Sequence, residues 1–68
     1  MPSLKASEIR KYTPKKLRDT LYELRAELIR LRSNAARGLA RKELGKIRKT
    51  RKEIARVLTV MREKGVKE

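Results

Sequence analysis

Leu17, Leu21, Leu24, Leu28 and Leu31 recur at alternating steps of four and three, the spacing that lines apolar side chains along one side of a helix. A helix with a single apolar stripe draws most of its stability from packing that stripe against something similar. The chain holds one other segment able to provide it. Leu44, Ile47, Ile54, Leu58 and Met61 form a second seam, in which Arg51 stands where one more apolar residue is expected.

The strong helix breakers fall around these seams. Prolines occur only at positions 2 and 14, and glycines only at 38, 45 and 65. Thr13 is placed to cap a helix whose first position is Pro14, where the missing N–H costs nothing. Lys16 occupies the position where Glu or Gln would complete a capping box, so half of that motif is present. The first helix is predicted over about 13–36, stopped by Gly38 in a left-handed conformation. The second is predicted over about 40–64, with Gly65 as its stop. Gly45 weakens its first turns by about 1 kcal/mol relative to Ala. Ahead of both, "KASEIRKY" suits a short helical turn at about 5–11, with Leu4 and Ile9 folding back on the helices. The fold class expected is all-α: residues 1–68 as a single domain, a long antiparallel two-helix hairpin, coiled-coil-like, with a short N-terminal helical turn.

A domain of 68 residues has a core worth only about 3–5 kcal/mol net, so the free hairpin is expected to be marginally stable and to gain from a partner. The nature of that partner is written in the charge. Lys and Arg number 21 against 8 Asp and Glu, with no His, a formal net charge of +13. Both halves share the excess: residues 1–37 hold 10 basic and 4 acidic side chains, and residues 38–68 hold 11 and 4. Charge of this density draws the chain to a polyanion.

Several function classes drop out. With neither Cys nor His, disulfides and the usual zinc sites have no ligands. Glycine-rich phosphate loops are absent, and acids such as Glu23 and Glu27 sit beside Arg30 as helix-surface pairs. No enzyme activity and no cofactor is expected. No apolar run approaches the roughly 18 residues of a membrane span, and the first residues lack the apolar stretch of a signal peptide. A soluble protein, not marked for export and without membrane attachment, is expected.

The second helix sorts its charges. At 100° per residue from Leu44, its seam falls in one band, and Arg41, Arg48, Lys49, Lys52, Arg56 and Thr59 occupy the adjoining arc, with Glu53 and Glu63 expected outside it. Such a stripe, some 12–20 Å long, suits a tract of phosphates. Aromatic platforms for reading single strands are scarce: two Tyr, no Phe and no Trp, with Tyr22 expected to pack or snorkel. Recognition should therefore run through phosphates, 2′-hydroxyls and shape, which suits folded RNA. A leucine-zipper DNA binder fits less well, because its basic region precedes its seam. A solvated basic helix, and a coiled-coil adaptor for an acidic protein or lipid surface, are the readings that compete.

Three stretches, "LKASEIRKYT", "LRSNAARG" and "KIRKTRKEIARVLTV", resemble the large-ribosomal-subunit protein family numbered twenty-nine, thirty-five in its eukaryotic counterpart. The last is the most specific, with Arg48, Arg51, Lys52, Ile54, Ala55, Arg56 and Thr59 in family positions. Its wording is closer to the archaeal and eukaryotic branch, and the long basic extension of the eukaryotic members is missing, which points to an archaeal-sized protein. Asn34, where bacterial members usually carry Gln, and the hairpin tip depart from the bacterial pattern. The resemblance implies a helical hairpin seated on large-subunit ribosomal RNA, mostly its first domain, at the rim of the polypeptide exit tunnel. It also implies a neighbour, the large-subunit protein numbered twenty-three, with which it frames a docking area for nascent-chain factors. Taken with the stripe, it makes Lys46, Arg48, Lys49, Lys52 and Arg56 phosphate contacts. Arg51 and Thr59 would fix the helix against the RNA backbone, Arg32 and Asn34 would touch RNA from the first helix, and Lys5 and Arg10 from the N-terminal turn.

Overall fold

A computed structural model describes residues 5–68, apart from the side chains of residues 39–42. It contains three α-helices: α1 (Ala6–Ile9), α2 (Pro14–Asn34) and α3 (Ala40–Lys64), with a π-helical segment, Ala35–Leu39, joining α2 to α3. No strand occurs among the described residues. α3 packs back along α2 to make a helical hairpin with extents of 39 × 21 × 15 Å. Its sense is antiparallel: Lys64 Nζ, at the end of α3, donates to the carbonyls of Arg10 and Tyr12 just ahead of α2.

Local chemistry sets the helix ends. Thr13 Oγ1 accepts the Lys16 N–H at 3.2 Å, and Pro14 takes the first turn of α2, relieving one of the orphan donors of the helix start. Between α2 and α3 the chain reverses at Gly38, with φ 93° and ψ 8°, a conformation that a Cβ would disfavour. α3 finishes in a Schellman motif. Gly65, at φ 70°, donates its N–H to Arg62 O at 3.2 Å, and the Val66 N–H reaches Met61 O at 2.8 Å. Val66 then lays its side chain on the core beside Met61, the apolar contact that accompanies this motif.

The core lies at the open end of the hairpin, where the helices start and finish. Ile9, Leu17, Leu21, Val57, Val60 and Met61, each 3 % exposed or less, form one cluster, with Tyr12, Leu24, Ile54, Leu58 and Val66 packed around it. Lys16 Nζ sits 4.5 Å from the centroid of the Tyr12 ring, a cation–π contact at the rim of the cluster. Ile9 folds back as expected; Leu4 lies outside the described residues.

On α2 the leucine seam is the buried face: Leu17, Leu21 and Leu31 are buried, and Leu24 and Leu28 half-buried. On α3 the buried line differs from the expected one. Leu44 is 47 % exposed, whereas Thr50, Val57 and Val60 are buried. The working seam is Ile47, Thr50, Ile54, Val57 and Met61, again in steps of three and four, so Thr50 fills the slot and the exposed Arg51 lies beside it. Val60 belongs to no single seam. It is buried because α1 packs against α3 as well, widening the face that α3 hides at this end.

Candidate nucleic-acid interface

The face of α3 opposite its seam carries a line of three basic residues. Arg48, Lys52 and Arg56 recur every fourth position, so they stack along one line about 12 Å long at 1.5 Å per residue. All three are exposed, and Lys49 beside them is half-buried. Together with Gly45 and Glu53, these four cations line an open depression of about 300 Å³. Four positive side chains around one concavity produce a local field that attracts anionic groups such as phosphate. Both acids depart from the expectation that they would lie on the far side: Glu53 stands at the edge of the same depression, following Lys52 by only about 100° of helix rotation, and Glu63, seven residues after Arg56, lies only about 20° from it around the helix, beyond the depression. Glu53 trims the positive field on its flank.

The other expected contacts are dispersed. Lys46 lies apart from the depression, where its charge acts on Glu27 of α2. Glu27 is also held by Arg30, whose Nε donates to its Oε2 at 3.1 Å. That hydrogen bond is the main reason the Glu27 carboxyl titrates below its ordinary range, and it raises Arg30 in return. Arg51 is exposed on a flank of α3. Thr59 is exposed too, but its hydroxyl donates to Ala55 O at 2.8 Å, so only its acceptor lone pairs face outward and a ribose hydroxyl suits it better than a phosphate.

Arg32 is exposed and Asn34 half-buried on α2. Two residues apart on a helix, they project about 200° from each other, so one flat surface cannot take both. Lys5 is exposed just ahead of α1. Arg10 is tied at the open end, its Nε 3.2 Å from Glu63 Oε1. Arg41 lies outside the described side chains.

α2 supplies two features that sequence reasoning missed. Tyr22, expected to pack or snorkel, is 76 % exposed, and Ile29, one heptad on, is 69 % exposed. Arg18 and Arg25 on the same side hold the C-terminal residues, Arg18 Nε donating to Lys67 O at 2.8 Å and Arg25 Nη2 lying 2.6 Å from Glu68 Oε1. The i, i+7 spacing of Tyr22 and Ile29 was the available signal. Among the described residues no cluster of three or more His, Cys, Asp or Glu is placed to hold a metal ion, and no helix is long and apolar enough to cross a membrane.

The chain is thus a basic two-helix hairpin with four cations around one depression on the outer face of α3. The sequence pattern of the ribosomal L29 protein family matches residues 7–64, and the chain belongs to that family of ribosomal proteins. It is 47 % identical over 64 residues to the large ribosomal subunit protein uL29 of Pyrobaculum aerophilum, covering 94 % of this chain and 84 % of that one. It is 42 % identical over 64 residues to the uL29 protein of Methanococcus maripaludis strain S2, covering 94 % and 90 %. With the uL29 protein of Schizosaccharomyces pombe it shares 46 % identity over 61 residues, 90 % of this chain and 50 % of that longer one. No solved structure matches the chain with statistical support.

Proposed function

We propose that this chain is a structural constituent of the large ribosomal subunit in the cytoplasmic ribosome, and that it grips ribosomal RNA along the outer face of α3. The observation that carries the reading is the depression where Arg48, Lys49, Lys52 and Arg56 converge; the uL29 names of its relatives say which assembly to test. Arg48, Lys52 and Arg56 would each meet a phosphate, Lys49 would reach one from the rim, and Arg51 would extend the contact along α3. Thr59 would accept from a ribose hydroxyl. Arg32 on α2 would touch a second RNA segment near the turn. Lys46 and Arg10, each facing a carboxylate of the chain itself, would contribute less. The RNA would be mainly the first domain of the large-subunit molecule at the rim of the polypeptide exit tunnel. There the ribosomal protein numbered twenty-three would be the neighbour, and nascent-chain factors would dock nearby. The role is to hold RNA in shape, without turnover.

Binding of the purified protein to a transcript of that first domain, against an unrelated structured RNA of equal length across a salt series, tests the reading. Cognate RNA should bind more tightly at physiological salt, with log K falling as log salt rises, as several phosphate contacts require. Reversing Lys52→Glu and Arg56→Glu together should weaken cognate binding by at least about tenfold, flatten the salt slope by about 2, and reduce incorporation into subunits. Equal binding of both RNAs, or normal incorporation of the doubly reversed protein, would sink it. Self-association in the absence of RNA would favour the adaptor reading.

A further inference from the structure

Gly38 and Gly65 have positive φ and turn the chain. Gly45 does neither: it lies inside α3 without a positive φ, and a Cβ built on it meets nothing within 4 Å. Neither the backbone nor the packing of this chain therefore requires glycine at position 45, although glycine is the poorest helix former after proline. The segment around it has little packing to offset that choice, since Leu44 beside it is 47 % exposed. What Gly45 does provide is a stretch of helix main chain with no side chain over it, set in the wall of the depression formed by Arg48, Lys49, Lys52 and Arg56.

We propose that Gly45 is a close-approach point, where the ribose–phosphate backbone of bound RNA rests directly on the main chain of α3. The inference deepens the RNA reading above and rests on it. The chemistry fits a ribose flanked by phosphates. The phosphates accept from the neighbouring cations, while the 2′-hydroxyl donates to a helix carbonyl that glycine leaves uncovered. A methyl group at this position would stand between the two backbones, as glycine is used wherever main chain must come close to a ligand.

Gly45→Ala and Gly45→Leu test this, because both residues are good helix formers and neither removes a charge. Both variants should melt at a higher temperature than the parent. Against the first-domain transcript at physiological salt, the Ala variant should bind about five-fold more weakly and the Leu variant more than about tenfold, with the salt slope unchanged. Ala26→Leu, which places the same side chain at an exposed position of α2, should bind like the parent. Undiminished binding by Gly45→Leu, with the parent's preference for cognate RNA intact, would overturn the close approach and leave the RNA reading standing. A loss for Ala26→Leu equal to that for Gly45→Leu would also overturn it. Absence of cognate preference in the parent would overturn the RNA reading and this inference with it.

Discussion

The two ends of the hairpin are built differently. At the open end three elements meet: α1, the start of α2 and the finish of α3 enclose six apolar side chains in one cluster. Towards the turn only α2 and α3 remain, and there Leu31 and Thr50 are buried outside that cluster, flanked by half-buried Leu28 and Ile47. The open end also carries the ties between segments, Arg10 to Glu63 and Lys64 to the Tyr12 carbonyl. Two helices touching along one line bury less than they do with a third element packed beside them, and the difference decides where the free protein is firm. The basic depression begins at Gly45, in the weaker half, and runs towards the stronger one.

The sharpest way to break this comparison is to truncate a leucine at each end. Leu17, wholly buried at the open end, should cost about 2–5 kcal/mol when changed to Ala, enough to unfold most of a marginal hairpin in a circular-dichroism melt. Leu44→Ala should stay within about 0.5 kcal/mol of the parent, as exposed positions do. Equal losses would mean the turn end is better packed than its exposure indicates. A smaller effect sharpens the same contrast: Thr50→Val, which makes the seam near the turn wholly apolar, should raise stability by up to about 1 kcal/mol, readable as a higher melting temperature. A lower one would show that the hydroxyl is worth more than the methyl.

The smallest effect is electrostatic. The Arg30 guanidinium holds the Glu27 carboxyl below its ordinary range. A depressed carboxylate contributes stability that is complete above the unfolded pKa, about 4.3, and disappears as pH falls through the lower folded value. Acid titration of the parent should therefore show a slight loss below pH 4 that Glu27→Gln lacks, screened further because the pair is largely exposed. Identical acid profiles for the two proteins would remove that contribution.

How far the sequence could be read depended on what each reading needed to know. The hairpin and the α2 seam required only local periodicity, and five leucines display it without ambiguity. α3 hid its seam because two lines with three–four spacing pass through Ile47, Ile54 and Met61, and Thr50 and Val57 on the buried one look weaker than Leu44 and Leu58 on the other, whose middle slot is the charged Arg51. Burial of Val60 was illegible, since it depends on α1 arriving from a second direction. The same division holds for the interface. Arg48, Lys52 and Arg56 share a face by helix arithmetic, so grouping them needed no tertiary knowledge. The same arithmetic sets Lys46 about 120° from the middle of that line. Arg10 is tied by Glu63, a residue 53 positions away, and periodicity carries no information about that pairing.

That separation has a kinetic meaning. The contacts that make the open end firm are the most distant in sequence, so they form only after a loop of about fifty residues has closed, at an entropic cost that grows with the logarithm of its length. The nearest-neighbour contacts beside Gly38, which close the shortest loop, are the ones with least apolar area behind them. A chain arranged this way closes its turn first and gains most of its tertiary stability last, when the distant contacts form. A polyanion that captures α3 near the turn would act as a template, ordering that helix before the far ends meet and leaving their closure as the last step.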